Sequence, residues 1–142
     1  MLTKKTKYAI KALMAIANSK DNKPMLIAEI AKQENLPKRF LESILLDLKR
    51  AKILKSKMGA GGGYFLMQNS NEIKILDIIR ILDGPIALLP CVSINFYQRC
   101  KECKDELTCS IRKMMQKVRD ASIDILGNST IKDLIENQEI IL

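Results

Sequence analysis

The feature that most constrains the fold is a glycine-rich run, Gly59-Ala60-Gly61-Gly62-Gly63, near the middle of the 142-residue chain. Glycines permit positive φ and close approach of the backbone to another surface. Short strand candidates lie on both sides, at 53–58 and 64–67. The pattern predicts a β-hairpin with a glycine-rich tip. A nucleotide phosphate loop is disfavoured, because no Gly-Lys-Ser/Thr ends the run and a strand follows it instead of a helix.

Three helices are predicted before the hairpin. Residues 3–18 carry apolar side chains at spacings of three and four, and Thr3 can cap the helix start. Residues 26–34 form a shorter second helix, and Pro37 suits the first position of a third helix that runs to residue 51. Two helices joined by a tight turn and followed by a hairpin indicate a winged helix-turn-helix.

The third helix has two distinct faces. Its apolar stripe is predicted to point inward and consists of Phe40, Leu41, Ile44, Leu45 and Leu48. The side chains left outside are basic or hydrogen-bonding, namely Lys38, Arg39, Glu42, Ser43, Lys49 and Arg50. Such a face is typical of a helix that reads DNA, although a plain solvated surface has the same character.

The distribution of charge favours nucleic acid as a partner. The net charge is +8. Residues 1–60 contain 14 Lys and Arg against 5 Asp and Glu, whereas the other 82 residues contain 10 against 11. All the excess positive charge therefore lies in the N-terminal part, as in a nucleic-acid-binding lobe. A generically basic surface is the alternative explanation.

The C-terminal part is predicted to be helical on both sides of a loop. Residues 73–82 form an apolar helix, and residues 109–126 form a long amphipathic one that Gly127 would end. The stripe of the long helix consists of Ile111, Met114, Met115, Val118, Ala121, Ile125 and Leu126. Such a helix either packs on its copy in a homodimer or folds back on its own domain. A short last helix follows a cap at Ser129-Thr130.

All four cysteines lie in the loop between those helices, at Cys91, Cys100, Cys103 and Cys109. The loop is mostly polar and buries little, so it needs something to order it. Four thiolates suit an iron–sulfur cluster or a zinc ion, and Cys100-x2-Cys103 also fits a zinc knuckle. A metal-free thiol switch is a third possibility.

Composition restricts the class of protein. No apolar run approaches the ~20 residues that a membrane span requires, and the N-terminus lacks a signal-peptide pattern. We expect a cytoplasmic protein without a membrane partner, in which clustered cysteines indicate metal or redox chemistry. The chain has no His and no convincing nucleophile–base pair. Neither an enzyme nor a small-molecule substrate is expected.

Several segments of the chain together form a recognisable pattern. In order, they are KYAIKALMAIA, IAEIAKQENLPKRFLESILLDLKRAKIL, GAGGGYFL and LDIIRILDGPIALLPC, followed by the cysteine cluster. This succession resembles the Rrf-two family of bacterial winged helix-turn-helix regulators, from Leu2 to about Glu136. The resemblance implies a homodimer whose long helices cross. Each protomer would place a wing and a recognition helix on double-stranded DNA at a near-palindromic operator.

The resemblance also implies roles for individual residues. Lys38, Arg39, Glu42 and Ser43 would face the major groove. The wing would span Gly59 to Gly63, so that Gly61, Gly62 and Gly63 lie at the DNA. Some relatives place an Arg just before the glycine run, for the minor groove. Here Met58 occupies that position, and Lys57, one residue earlier, would take over the contact with DNA.

The cluster ligands follow from the same resemblance. Relatives that bind a cluster use three cysteines, which match Cys91, Cys103 and Cys109. Their fourth ligand is a His or an Asp, at positions that Arg112 and Lys7 occupy here. Since neither borrowed ligand is present, the additional Cys100 is the natural fourth thiolate.

The sequence therefore predicts a mainly α protein with a small β-hairpin wing. A winged helix-turn-helix domain would span 1–83, a cysteine-rich sensor loop 84–108, and a dimerisation helix with a C-terminal helix 109–142. The expected function is that of a sequence-specific DNA-binding transcriptional repressor. Its affinity would follow an iron–sulfur cluster (2Fe–2S or 4Fe–4S) or the thiol state. The alternative is a zinc- or thiol-based redox or metal-handling protein with weak nucleic-acid binding.

Overall fold

A computed structural model describes residues 2–139 and shows a mainly α protein with a small hairpin, as predicted. In chain order the elements are α1 Lys4–Ala17, α2 Ile27–Glu34, α3 Lys38–Arg50, β1 Leu54–Lys57, β2 Gly63–Leu66, α4 Ile75–Leu82, α5 Ser110–Asn128 and α6 Ile131–Glu139. Short 3-10 turns cover Lys20–Asn22 and Pro90–Val92. No helix within the described range is long and apolar enough to cross a membrane.

Helix α1 lies at the centre of the fold and packs against α2, α3, α4, α6 and β2. Its Leu13 and Ile16 are fully buried, together with Ile44 of α3 and Ile78 of α4. Ile131 of α6 is also fully buried in this core, so the chain returns to α1 after the long helix. The proposed division into segments ending at 83, 108 and 142 stays a prediction, and its last residues, 140–142, lie outside the described range.

The N-terminal caps agree with the sequence pattern. The Thr3 hydroxyl accepts a hydrogen bond from the backbone N–H of Thr6 at 3.2 Å, which caps α1. In α6, Thr130 Oγ1 accepts from the N–H of Asp133 at 3.2 Å, while the Asp133 carboxylate accepts from the N–H of Thr130 at 2.8 Å. This reciprocal pair is a capping box, and it fixes the start of α6 where the chain turns back to the core.

The expectation about the placement of one side chain, Phe40, was wrong. Phe40 was predicted to point inward, but its side chain is 39% exposed, and its ring lies edge-on against Tyr8 of α1. The buried stripe of α3 is centred on Leu41, Ile44, Leu45 and Leu48. At about 100° per residue, Phe40 falls on the flank of that stripe, where its ring contacts Tyr8 instead of the centre of the core.

Gly127 was predicted to end the long helix, but α5 continues through it to Asn128. A Cβ on Gly127 would lie 3.4 Å from Leu76 Cδ2 of α4. The missing side chain therefore allows α5 to approach α4 closely, and the glycine serves helix packing instead of helix termination.

Candidate nucleic-acid interface and cysteine cavity

The outer face of α3 presents the predicted reading residues together. Lys38, Arg39, Glu42 and Ser43 are all exposed. The side chains of the first three make no hydrogen bond within residues 2–139, whereas Ser43 Oγ donates to the carbonyl of Phe40 at 2.9 Å. Three of the four side chains are therefore free to bind a ligand. The Ser43 hydroxyl, with its proton engaged, remains available as an acceptor.

Polar contacts at both sides fix the orientation of α3. Lys5 Nζ of α1 lies 2.7 Å from Asp47 Oδ2, and Lys49 Nζ donates to Ser56 Oγ of β1 at 2.7 Å. Such partly exposed pairs add little to the free energy of folding. Their positions nevertheless tie α3 to α1 on one flank and to the hairpin on the other.

The hairpin has the form of a wing. Strands β1 and β2 pair antiparallel, with Leu54 opposite Leu66 and Lys57 opposite Gly63. Lys57 is exposed at the end of β1, and the next residue, Met58, is 94% exposed. The tip thus presents a cation and an apolar side chain beside the glycine run.

The three predicted wing glycines play different structural parts. Gly63 has φ +134°, and a Cβ there would lie 2.3 Å from the carbonyl oxygen of Met25. A Cβ on Gly62 would lie 2.4 Å from the carbonyl oxygen of Lys57. Gly62 is therefore required for packing within the hairpin, and Gly63 for packing of the hairpin against the Met25 backbone. Gly61, at φ +71°, is exposed with open space around it, so it alone of the three has room for an external partner.

The four cysteines line one cavity of about 200 Å³ between the Cys91 turn and the start of α5. Cys91 is buried, Cys103 and Cys109 are half-buried, and Cys100 is exposed. The other lining residues are Leu89, Glu106, Ile111 and Arg112. The structure thus gathers all four predicted thiols at one place.

Each thiol is positioned by local backbone structure. Cys91 lies in the 3-10 turn Pro90–Val92. Cys109 is the N-cap of α5, where its Sγ accepts from the N–H of Arg112 at 3.4 Å. Cys100 and Cys103 share a turn in which the N–H of Cys103 donates to the Cys100 carbonyl at 3.3 Å. The thiols therefore come from a buried turn, a helix start and an exposed loop.

Two arginines of α5 hold the Cys91 turn. Arg112 Nε donates to the Cys91 carbonyl at 3.3 Å, and Arg119 Nη1 donates to the Val92 carbonyl at 2.7 Å. From the sequence, Arg112 was expected only to stand where some relatives have a histidine, and Arg119 was not predicted to have a role. Their spacing of seven, which places both on one helix face, was the available signal.

Glu106 is a second residue that the sequence analysis missed. It lines the cysteine cavity, and its carboxylate accepts a hydrogen bond from the Tyr97 hydroxyl. That bond, with some burial and the charge of Glu106, raises the pKa of Tyr97 above its ordinary value. The sequence shows a carboxylate among the thiols, but it does not indicate that Tyr97, nine positions earlier, is the hydrogen-bond partner of that carboxylate.

The four thiols are the kind of ligand that a zinc ion or an iron–sulfur cluster requires. Partial burial and the neighbouring thiols of Cys109 and Cys100 raise the pKa of Cys103, so its proton must be displaced when a metal binds. Within residues 2–139, no group of three or more His, Cys, Asp or Glu side chains is already arranged to hold a metal ion. Binding would therefore require the exposed part of the loop to draw inward.

Helix α5 leaves an apolar stripe uncovered. Ile111, Met114, Val118 and Ile125 are 60%, 54%, 40% and 65% exposed, and Ala121 lies between the last two. These five residues follow one another at spacings of three and four, which place them on one side of the helix. No residue of α5 is classed as buried. The stripe has the pattern of a coiled-coil seam without its partner.

A family model described as "Rrf2: Iron-dependent Transcriptional regulator" matches residues 2–137. The chain belongs to the Rrf-two family. An Rrf2-like HTH-type transcriptional regulator of Rhodobacter capsulatus is 42% identical over 138 residues, covering 95% of this chain and 92% of that protein. The IscR regulator of Pectobacterium atrosepticum is 27% identical over 140 residues, covering 99% of this chain and 82% of the relative.

A solved structure agrees with the Rrf-two assignment. The structure of CymR, the global cysteine regulator of B. subtilis, matches with a TM-score of 0.80 and 27% identity, covering 96% of this chain and 97% of that one. Like these Rrf-two relatives, the chain is a winged-helix, DNA-binding transcriptional regulator.

Proposed function

We propose that the chain is a homodimeric repressor whose affinity for a near-palindromic DNA operator follows an iron–sulfur cluster, 2Fe–2S or 4Fe–4S, at the cysteine cavity. The observation that carries this proposal is the gathering of four thiols at one cavity joined to the first turn of α5. The description of the family model, which names iron dependence, supports the cluster over zinc.

The DNA-reading surface consists of the α3 face and the wing. Arg39 and Glu42 are three residues apart, so both side chains can reach base edges in the major groove. Lys38 and Ser43 extend this surface, and Lys57 is placed for a phosphate contact. Gly61 offers the close approach of the wing backbone, while Gly62 and Gly63 maintain its shape.

The uncovered stripe on α5 supports the homodimer. A run of exposed Ile, Met and Val side chains on a 19-residue helix is unfavourable in water. A second copy of the same helix would bury it in a two-fold interface. The two α3 helices would then face successive major grooves, which is how a dimer reads a palindromic operator.

The ligands of the proposed cluster are Cys91, Cys103 and Cys109, with Cys100 as the fourth thiolate. Bound there, the group would supply redox and ligand-exchange chemistry. A zinc ion would use the same four thiolates without redox chemistry.

The cavity is well placed to act on the dimer. Its thiols include the N-cap of α5, and the turn that carries Cys91 is attached to the same helix by Arg112 and Arg119. A change at the thiols therefore acts on the helix that joins the two protomers. We infer that the state of the cavity biases the angle between the two wings, which is the two-state element that a sensor requires.

The decisive experiment is purification without air, followed by visible absorption and by iron, sulfide and zinc analysis. DNA binding is then measured with the group present and after its removal. Brown protein with iron and sulfide, and a changed operator affinity after removal, would support the proposal. Operator binding that is the same in both states would contradict it.

A metal-free thiol switch, or a zinc- or thiol-based metal-handling protein, is the second candidate. It is favoured by one observation, that Cys100 is exposed and Cys103 is only half-buried, so that an oxidant could reach both thiols. Colourless protein with bound zinc, or without metal but with thiol-dependent DNA binding, would point to it. Weak nucleic-acid binding without a large specific-to-nonspecific ratio would separate the metal-handling protein from a regulator.

A further inference from the structure

Phe40 is an apolar side chain in an otherwise polar setting on α3. It occupies the third position of the helix, next to Arg39 and close to Lys38, and it is 39% exposed. An exposed phenylalanine gains nothing from water, and a single one on a surface needs no explanation. Here, however, it lies in the first turn of the helix that we propose to enter the major groove, where N-terminal residues meet base edges.

The ring of Phe40 is held in place before any ligand binds. Its centroid lies 5.6 Å from that of Tyr8, with an interplanar angle of 87°, which is the favourable edge-to-face arrangement. A side chain that is already ordered loses little conformational entropy on binding, so a modest apolar contact can contribute to affinity.

We propose that Phe40 recognises the C5-methyl group of a thymine in each operator half-site. This inference rests on the proposed insertion of α3 into the major groove. Thymine is the base that presents a methyl group there, and phenylalanine is among the side chains that contact it. The charged neighbours Arg39 and Glu42 supply hydrogen bonds to other base edges, while Phe40 adds the apolar part of the readout.

The test first requires an operator, selected from random DNA by the wild-type protein. Each thymine of a half-site is then replaced singly by uracil, which removes only the methyl group. For the wild type, one such replacement should weaken binding about fourfold, the equivalent of one buried methyl group. For Phe40→Ala, thymine and uracil should be bound equally at that position.

Leu46 provides a matched control, because it is 41% exposed on the same helix but lies nearly two turns further on. Leu46→Ala should keep the thymine preference of the wild type. Each variant is compared with itself on two DNAs, so a general loss of affinity or stability cancels. If Phe40→Ala fails to fold, Phe40→Leu, with a shorter apolar side chain, should show a reduced preference.

The inference would be overturned if no thymine-to-uracil change weakened the wild type, or if the weakening persisted in Phe40→Ala. It would also be overturned if Leu46→Ala abolished the preference equally. Failure of the proposed function looks different, because then either no operator is selected, or the selected operator is bound with the same affinity before and after removal of the group. A selected operator without a methyl effect would leave the regulator intact and remove only the role of Phe40.

Discussion

Thr3 donates two hydrogen bonds to the carboxylate of Asp83, although the two residues are 80 positions apart. One comes from the Thr3 backbone N–H at 3.2 Å and the other from its hydroxyl. The same hydroxyl oxygen caps α1 by accepting from the N–H of Thr6. Asp83 is the residue that ends α4. One side chain thus joins the start of the central helix to the point where the chain leaves for the cysteine loop.

This contact predicts an acid-sensitive contribution to stability. Burial opposes ionisation of Asp83, but hydrogen bonds from Thr3 and Thr6 outweigh it and lower the pKa below its ordinary value. A carboxyl with a lowered folded-state pKa stabilises the fold above its unfolded pKa, and this contribution is lost as pH falls through the folded pKa. Asp83→Asn should cost about 1 kcal/mol at neutral pH and reduce the loss of stability below pH ~4.

Urea unfolding at neutral pH and in acid measures both effects. Glu42→Gln, at an exposed position of α3 where the side chain makes no hydrogen bond within residues 2–139, is the control and should change neither. An Asp83→Asn variant with the pH dependence of the wild type would show that the contact with Thr3 does not contribute.

The proposed DNA face predicts different behaviour for two cations. Arg39→Ala should lose ~1–3 kcal/mol of specific binding, because a base-edge contact is removed. Lys57→Ala should weaken all sequences by a similar factor and flatten the salt dependence by about one charge. Titrations of operator and random DNA at several salt concentrations distinguish the two. Equal losses on both DNAs for Arg39→Ala would mean that α3 does not read bases.

The uncovered stripe on α5 predicts the assembly. Val118→Glu would place a charge in the middle of the proposed two-fold interface and should give monomers with poor operator affinity. Met115 and Ile125 belong to the same predicted interface, although Met115 is half-buried against its own chain. Sedimentation at micromolar concentration measures the change.

Lys117→Glu introduces the same carboxylate at the exposed neighbouring position, with a charge change twice as large, and as the control for Val118→Glu it should leave the dimer intact. A Val118→Glu protein that still sediments as a dimer would place the interface elsewhere.

The four cysteine-to-serine variants are expected to differ in their effect on the cluster. Cys91→Ser, Cys103→Ser and Cys109→Ser should each abolish the cluster and shift DNA affinity alike. Cys100 is the exposed thiol, and its replacement decides the fourth ligand. Loss or a changed absorption spectrum in Cys100→Ser would identify it as that ligand. An unchanged spectrum and iron content would place the fourth ligand elsewhere, and Glu106, which lines the cavity, would be the next residue to replace.

The regular elements could be predicted because their signals are local. The apolar stripes of α1 and α3, the Thr3 cap and the glycine-rich hairpin all depend on periodicity or on turn chemistry within a few residues. Phe40 shows the limit of that approach. Its hydrophobicity indicated the core, but whether it was buried depended on how closely α1 approached that flank of α3.

The grouping of the four cysteines could be predicted from the sequence, but the residues that hold the cavity in place could not. Four clustered thiols indicate a shared centre, whatever the path of the chain between them. The contacts of Arg112 and Arg119 with backbone carbonyls near Cys91 depend on how residues 84–108 fold back on α5. That segment has no periodicity from which such a path could be inferred. Glu106 was missed for the same reason.

The packing of the wing against the backbone of Met25 limits how a signal could act on DNA binding. Gly63 lies so close to the Met25 backbone that no side chain fits between them, and Tyr64 and Met25 exchange two backbone hydrogen bonds, of 2.8 and 2.9 Å. Within one protomer, the wing cannot tilt independently of the helices beside it. A signal acting through α5 would therefore leave the preferred half-site sequence unchanged, and would change the distance between half-sites that the dimer tolerates. The length of the spacer in the operator is then the variable that reports the state of the sensor.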